Sequence, residues 1–449
     1  MFRKLFTRRR GGLATVAAIG IAGATLALSG TAGAQPNATA LVGSGSQTAY
    51  STMQALDQLF NTSPGCDLTQ PTSDPLPLNC GTTSFTAGAT ECEQGFTVAA
   101  ENPYNDYAVE APPVGSGNGE AQLEQGTPGS LNPSYGRSSS GPDGQTTQNF
   151  IAYATDGVSW VTFTKVSGTA TDQAKVDNLT QAQVQEIWKG DANCSVTKKG
   201  KTTNYTQNWI CVGAKDAAPI DCYTAQTASG TYKTFAKFAN ITTNPAPCDT
   251  ASLEAGDPGD ANVVADHENL FENQMSVIAK AKDAADAIYF MSFGKFTTTC
   301  PAGKCIGATS DITEFGELNG ITASQSTIQG SGGGVGVTFP LTRYLYNVYN
   351  NGTAASPATP ATQAALNYIG EQGFLCKSET TSQTDPITGV DYRGEIESAI
   401  TGQGFFPIDV SQKTFAEGSL NNPDPVTDPG YSADDGTEGA NGFCLIFNG

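Results

Sequence analysis

Three short turns of this sequence combine glycine with a hydroxyl side chain directly before a helical pattern. They read "GSGSQ" (43–47), "GSGNG" (115–119) and "ASGTY" (228–232). The N-terminus of a helix offers about four unpaired N–H groups and a partial positive charge, and a nearby hydroxyl adds a further donor. Helix capping alone would explain one such turn, but three in one chain indicate recognition of a small anion or polar ligand.

Patterns for catalysis or metal binding are weak by comparison. Neither "GSGSQ" nor "GSGNG" completes the G-x-S-x-G pattern of a nucleophilic serine. His267 is the only histidine and lies in a stretch typical of a surface helix, and the paired cysteines lack the C-x2-C spacing of zinc sites. We therefore expect no catalytic residue, no metal and no cofactor.

The first 34 residues have the pattern of a secretory signal peptide. "MFRKLFTRRR" is basic, the following stretch is apolar and rich in small residues, and "TAGA" offers a cleavage site after Ala34. Arg9 and Arg10 fit either twin-arginine export or an ordinary basic signal region. No later stretch reaches the roughly 18 consecutive apolar residues of a membrane span. We expect a secreted protein without a lipid-modified N-terminal cysteine.

The chain is strongly acidic, with 43 Asp and Glu residues against 23 Lys and Arg residues and a net charge of −20. Removal of residues 1–34 would take away five basic residues and no acidic one, so the net charge would become −25. A field of this sign repels the phosphate backbone of nucleic acids, which are therefore disfavoured as partners. A small anion can still bind through local dipoles and hydroxyl groups.

All 11 cysteines follow the signal pattern, which indicates disulfides formed in an oxidising compartment. Cys66, Cys80 and Cys92 have no obvious partners, so one thiol should be free or paired between chains. The spacing of the others predicts the pairs Cys194–Cys211, Cys222–Cys248, Cys300–Cys305 and Cys376–Cys444.

Strand and helix patterns alternate along most of the chain, which predicts an α/β fold. The clearest helix start lies in "VDNLTQAQVQEIWKG" (176–190), where Thr180 and Gln183 form a capping box and Gly190 ends the helix. Residues 131–148 have the composition of a loop throughout. The buried stripe of the helix is predicted to be Val184, Ile187 and Trp188.

Several stretches follow one another in an order that is found in a known family. "GSGSQTAY" and "GSGNGEA" look like two Gly/Ser loops, "GRSSSGPD" like a Ser-Asp-containing loop, and "TASGTYKTF" like an "R-x-D-x-SGT" anion loop. "VDNLTQAQVQEIWKG" is similar to the helix "nLtlaqlrdIfxG", and "DAIYFMSFGKF" to the strand "gaIGYvs". Together they resemble the phosphate-type periplasmic substrate-binding proteins of ABC transporters, the PstS-like group, and especially its secreted actinobacterial members. The resemblance covers most of residues 38–346.

This resemblance implies a two-lobed periplasmic-binding-protein-like fold of type II, with a ligand cleft between lobes joined by a two-strand hinge. Lobe one would comprise residues 35–155 and 291–449, the latter with an acidic C-terminal loop, and lobe two would comprise residues 156–290. The positions that match the ligand-binding residues of the family are Ser46, Ser116, Ser229, Gly230 and Thr231, with Ser138 and Ser139 as further contributors.

Two family positions are occupied differently in this chain. Counting back from Ser229, the arginine position of the family holds Ala225 and its aspartate position holds Thr227. In the family the arginine makes a charge-assisted contact, and the aspartate accepts the proton of hydrogen phosphate and repels sulfate. Arg137, next to the serines, offers a replacement charge partner; the alternative is an exposed loop arginine.

Two functions are compatible with these features. The first is a secreted, monomeric binding protein, not an enzyme, that captures phosphate or a related oxyanion or small polar ligand for the membrane component of an ABC transporter. The second is a binding-protein scaffold that acts as an extracellular interaction protein without binding phosphate. The absence of the family's arginine and aspartate favours the second function, whereas the order of the hydroxyl turns favours the first. We expect the first function.

Overall fold

The computed structural model shows a mixed α/β chain with a curled sheet, which confirms the predicted fold class. The two-lobe arrangement and its hinge stay predictions. The described residues are 41–61, 108–111, 113–125, 133–142, 147–163, 176–242, 248, 278, 286–299, 312–329, 338–350, 365–366, 368–370, 373–376, 392–408 and 444–448. The predicted signal peptide, His267 and the predicted Cys300–Cys305 pair lie outside them.

The secondary structure combines strands of two to 16 residues with helices of five to 15 residues. The strands are β1 (Leu41–Gly45), β2 (Ala108–Glu110), β3 (Tyr135–Ser138), β4 (Gln148–Phe163), β5 (Asn178–Leu179), β6 (Cys194–Lys198), β7 (Lys201–Tyr205), β8 (Asp221–Cys222), β9 (Ala287–Ser292), β10 (Ile312–Phe315), β11 (Glu317–Leu318), β12 (Thr342–Asn350), β13 (Phe406–Pro407) and β14 (Leu445–Asn448). The helices are α1 (Gln47–Asn61), α2 (Ser116–Gln125), α3 (Gln181–Trp188), α4 (Gly230–Ala239), α5 (Phe293–Thr299), α6 (Gln325–Gln329) and α7 (Tyr392–Gly402).

The main sheet is organised around β4, which exchanges partners along its length. Its principal strand order is β2-β1-β3-β12-β4-β9-β8. β1 pairs in parallel with β2 and β3, whereas β12 runs antiparallel to both β3 and β4. The first part of β4, up to Gly157, pairs with β12, β13 and β14, and the part from Val158 onward pairs with β9 and β10. One continuous strand therefore belongs to two groups of strands.

The buried apolar side chains form separate clusters that follow the same division. One cluster draws its buried residues from 158–341, and the other two draw theirs from 41–154 and 344–444. The chain therefore passes from one set of clusters to the other between Ala154 and Val158, and back again between Leu341 and Tyr344. The boundary expected at 290/291 lies inside the first cluster, which contains Met291.

The prediction of a loop over residues 131–148 is wrong at its centre. Tyr135–Ser138 is a fully buried strand between β1 and β12. Gly, Ser and Pro surround it, so its local composition gives no strand signal. The flanking strands supply the backbone hydrogen-bond partners that turn this short segment into a strand.

The predicted capping box of α3 is confirmed. Thr180 Oγ1 accepts a hydrogen bond from Gln183 N at 3.2 Å, and Thr180 N donates to Gln183 Oε1 at 2.8 Å. Gly190 has a φ of +73° just beyond the helix end. As predicted, the buried face comprises Val184, Ile187 and Trp188.

Loss of this cap should affect stability alone. We expect Thr180→Ala to lower the free energy of unfolding by about 1 kcal/mol, measured by chemical denaturation, because an N-terminal N–H loses its acceptor. Thr203→Ala, an exposed change in β7, is the control and should have little effect. A drop in anion affinity exceeding the stability loss would show that α3 is coupled to the ligand site.

Three of the four predicted disulfides fall on described residues, and all three are confirmed. They join Cys194 to Cys211, Cys222 to Cys248 and Cys376 to Cys444, with Cα–Cα distances of 5.4, 5.7 and 5.1 Å. The last one ties Cys444, the residue before β14, to a segment 68 residues earlier. Within the part of the chain that the structure describes, no helix is both long and apolar enough to cross a membrane.

Candidate ligand site where three helices begin

The N-termini of α1, α2 and α4 meet at one small pocket. These helices begin at Gln47, Ser116 and Gly230, and each begins within one of the three glycine–hydroxyl turns of the sequence. The fold therefore brings together turns that are far apart in the chain. The pocket is lined by Ser46, Gln47, Gly115, Ser116, Gln226, Ser229 and Gly230.

Five hydroxyl side chains in two contacting groups, here together called the hydroxyl cluster, lie at or next to the helix starts that form this pocket: Ser46, Ser116 and Ser139, and Thr48 and Thr231. All five are buried. Ser46 Oγ donates to Ser139 Oγ at 3.1 Å, and Ser116 Oγ lies 3.3 Å from Ser139 Oγ. Thr48 Oγ1 and Thr231 Oγ1 are also 3.3 Å apart. The cluster thus joins α1, α2 and α4 to the end of β3.

Gly230 permits this close approach. A Cβ atom at Gly230 would lie 2.5 Å from Ser139 Oγ, 2.6 Å from Ser116 Oγ and 2.7 Å from the carbonyl carbon of Ser139. Gly117 N also donates to Ala228 O at 3.0 Å across the same contact. The turn before α4 therefore packs directly on the start of α2 and on the end of β3.

Most hydroxyl groups at the site already accept a hydrogen bond from an N–H group. An N–H group can only donate, so each of these hydroxyls keeps its own proton for a further bond, and the proton of Ser46 is already donated to Ser139 Oγ. Ser229 accepts from an N–H group at the start of α4 and therefore caps that helix, as helix capping by its turn requires. The pairs are Ala49 N to Ser46 Oγ (3.4 Å), Ser139 N to Ser116 Oγ (3.1 Å), Tyr232 N to Ser229 Oγ (3.3 Å) and Arg343 Nη1 to Thr231 Oγ1 (2.6 Å).

Ser138 and Ser139 have different surroundings although they are neighbours. Ser139 belongs to the hydroxyl cluster, whereas Ser138 Oγ donates to Glu120 Oε1 at 2.7 Å and lies 2.8 Å from the carbonyl oxygen of Ser140. Glu120 in turn lies 3.6 Å from Lys233 Nζ. Of the two serines, Ser139 is the one in contact with the pocket-lining hydroxyls.

Arg137 is a buried residue of β3, so the interpretation of an exposed loop arginine is wrong. Its guanidinium forms an ion pair with Glu110 and donates to Ser46 O at 3.3 Å and Ala111 O at 3.1 Å. Burial lowers the pKa of Arg137 to about 10, so it remains protonated at neutral pH. These contacts fix the position of the turn before α1.

A second buried arginine, Arg343 of β12, contacts the hydroxyl cluster directly. Its Nε and Nη2 both donate to Asp156 Oδ2, at 3.0 and 2.8 Å, and Nη1 donates to Thr231 Oγ1 and to Ser139 O at 3.1 Å. Neither charged side chain is exposed. Asp156 lies opposite Arg343 in the β4–β12 pair and also accepts from Gly294 N. Sequence reasoning missed this pair, because no local motif marks either residue.

Ala225 and Thr227 are not arranged as an anion-binding pair. Ala225 is fully buried in the apolar cluster of residues 158–341, whereas Thr227 is exposed. The arginine that contacts the turn with Thr231 is Arg343, which lies at neither of these two positions. Among the described residues there is no group of three or more His, Cys, Asp or Glu side chains that could hold a metal ion.

No family model and no curated protein matches this chain. Its fold is similar to that of an ABC-type phosphate transport receptor from Vibrio cholerae (17% identity, 70% of this chain and 88% of that chain covered, TM-score 0.39). It is also similar to a protein from Clostridium perfringens that is assigned as the substrate-binding protein of a phosphate ABC transporter and has bound phosphate (14%, 82% and 98%, 0.42). A third similar structure is PstS from Borrelia burgdorferi (14%, 82% and 98%, 0.35).

Proposed function

We propose that this protein is a secreted solute-binding protein that captures phosphate or a related oxyanion between two α/β lobes. The observation that carries the proposal is the meeting of three helix N-termini at a pocket lined by hydroxyl and amide side chains. Helix dipoles and oriented N–H and O–H donors stabilise negative charge without requiring a formal cation.

The ligand would be held from both sides of the molecule. Ser46, Ser116 and Ser139 come from the segment whose apolar residues pack in the 41–154 and 344–444 clusters, while Ser229 and Thr231 belong to the other side. β4 and β12 pass between these two sides and pair with each other there. We assign these strands as the hinge and place the lobe boundaries near residues 155–157 and 342–343.

The ligand would be a small anion. None of the described residues that line the pocket is charged, and the positive charge of Arg343 is neutralised by Asp156. Positive character therefore comes from helix N-termini and hydroxyl protons, whose effect is short-ranged. The large negative net charge repels polyanions at a distance, so a compact oxyanion fits better than a nucleic acid.

The biological setting follows from the same proposal. The protein would be exported by its signal peptide, act as a monomer outside the cytoplasm and deliver its ligand to the membrane component of an ABC transporter. It would carry out no reaction on the ligand.

One observation favours a second candidate function, a scaffold that binds a partner without binding phosphate. Gly230 already touches Ser139 and Ser116, and the cluster hydroxyls hydrogen-bond to one another. If a ligand cannot separate these contacts, the cluster serves only to fix the fold. Titration with inorganic anions distinguishes the two functions.

We expect isothermal titration to detect binding of inorganic phosphate by the wild-type protein. Thr231→Val should weaken this binding by about 1–3 kcal/mol, because the change removes a hydroxyl and leaves Arg343 Nη1 without one of its acceptors. Thr202→Val, an exposed change in β7, is the control of the same shape and should bind normally.

Tryptophan fluorescence provides a second readout. Trp188 packs edge-on against Phe235 of α4, with ring centroids 4.7 Å apart, and should report movement of the helix whose N-terminus holds the anion. Absence of phosphate and sulfate binding in both assays would sink the proposal and favour the scaffold function.

A further inference from the structure

An ion pair joins α2 and α4 next to the pocket, with Lys233 Nζ 3.6 Å from Glu120 Oε2. Each residue follows a pocket-lining serine by four positions, Glu120 after Ser116 and Lys233 after Ser229. Residues four positions apart lie on the same face of a helix, and Lys233 N accordingly donates to Ser229 O at 3.0 Å. The ion pair therefore lies about one helical turn beyond the pocket.

This ion pair connects the two sides of the molecule that the apolar clusters separate. α2 contributes Leu123 to one of the clusters built from residues 41–154 and 344–444, whereas α4 contributes Phe235 to the cluster of residues 158–341. β4 and β12 join the two sides covalently in any arrangement, but the ion pair exists only while α2 and α4 are in contact. Its energy therefore favours the arrangement in which the two sides meet.

The carboxylate of Glu120 is held in place from its own side of the molecule. Glu120 is 3% exposed, and its Oε1 accepts from Ser138 Oγ of β3 at 2.7 Å. Its backbone oxygen accepts from Gln148 Nε2 of β4 at 2.8 Å. None of these contacts involves α4, so Glu120 can keep its position when α4 moves. Ser138, which is not part of the hydroxyl cluster, thereby orients the acidic partner of the ion pair.

The ammonium group of Lys233 is more accessible than its partner. Its side chain is 23% exposed, so water can reach it and the contact is reversible. A Cβ atom at Gly117 would lie 3.3 Å from Nζ, which places the ammonium group against the first turn of α2. A shift of a few tenths of an ångström would relieve that contact and leave the ion pair intact.

We infer that Lys233 and Glu120 form a latch that holds the two sides together over a bound anion and slows its release. This inference rests on the proposed function and concerns the regulation of that same site. Both are positioning residues, because they act through the contact between α2 and α4 and not on the ligand. Loss of the latch should raise the dissociation rate of the anion and leave its association rate unchanged.

Stopped-flow tryptophan fluorescence measures both rates for inorganic phosphate, and isothermal titration measures the affinity. Lys233→Met should release phosphate about three- to tenfold faster than the wild type and lose affinity by the same factor. Lys233→Arg keeps the positive charge and should stay close to the wild type. Lys237→Met is the matched control, because Lys237 is exposed one turn further along α4 and its variant removes the same charge from the same helix. It should release phosphate at the wild-type rate.

A double-mutant cycle tests whether the two residues act as a pair. Glu120→Gln removes the charge and retains an oxygen that can accept from Ser138 Oγ. It should speed dissociation as Lys233→Met does, and the double variant should be no faster than the faster single variant.

Salt supplies a readout that a purely structural role for Lys233 would not change. The dissociation rate of the wild type should rise between about 0.05 and 0.5 M sodium chloride, because salt screens the ion pair. The dissociation rate of Lys233→Met should stay constant over the same range.

Circular dichroism establishes that each variant is folded. Equal dissociation rates for Lys233→Met and Lys237→Met, additive effects in the double variant, or a change confined to the association rate would each overturn the latch. Phosphate binding by the wild type would then still support the proposed function. If the wild type binds neither phosphate nor sulfate, the proposed function fails and the latch fails with it.

Discussion

Arg343→Met is expected to lower the free energy of unfolding by about 3–5 kcal/mol and to weaken phosphate binding about 10- to 100-fold. The stability loss arises because Asp156, fully buried, loses the guanidinium that neutralises it. The affinity loss arises because Thr231 Oγ1 no longer accepts from Arg343 and can turn its proton away from the ligand. Chemical denaturation measures the first effect and isothermal titration the second.

A double variant separates these two effects. Arg343→Met with Asp156→Asn removes both charges, and an asparagine oxygen can still accept the hydrogen bond from Gly294 N. We expect most of the stability to return while phosphate binding stays weak. Recovery of phosphate affinity in the double variant would mean that Arg343 acts only through the fold.

Arg393→Met is the matched control for the loss of a buried arginine. Arg393 of α7 is 1% exposed, pairs with the half-exposed Glu397 and donates to Leu375 O, in the apolar cluster away from the hydroxyl cluster. Its replacement should cost stability through the lost contacts and leave phosphate affinity unchanged.

Gly230→Ala is expected to weaken phosphate binding by about 10- to 100-fold. The added methyl group would overlap Ser139 Oγ, Ser116 Oγ and the Ser139 backbone, so the turn before α4 must move away from the start of α2 and the end of β3. Isothermal titration measures the loss, and thermal unfolding should show a smaller decrease in stability.

Gly117→Ala provides the matched control for this glycine. A Cβ atom there would lie 3.3 Å from Lys233 Nζ, the mobile end of a long side chain that can move aside. Its phosphate affinity should remain close to that of the wild type. Equal affinities for Gly230→Ala and Gly117→Ala would argue against a ligand held between these turns.

Local features of the fold were predictable from the sequence. The capping box of α3 depends on residues three positions apart, and Ser229 caps α4 through Tyr232 N, so short motifs contain the whole interaction. The disulfides between Cys194 and Cys211 and between Cys222 and Cys248 also join residues that are close in sequence.

Features that depend on distant strands were not predictable. Arg343 lies 112 residues from Thr231, and only the antiparallel pairing of β12 with β4 and β3 brings it to the hydroxyl cluster. β3 is likewise a strand because β1 and β12 flank it, although its own residues favour a loop. For the same reason the sequence leaves open whether Arg137 is an exposed loop residue, whereas β3 buries it.

The continuity of β4 limits how this protein can be dissected. A cut near Gly157 would leave each fragment with one end of a strand whose neighbours are complete only in the uncut chain. Exposed strand ends of this kind promote self-association. A fragment that is to stay monomeric must therefore keep both ends of β4, and independently expressed halves should precipitate or recombine rather than behave as two small proteins.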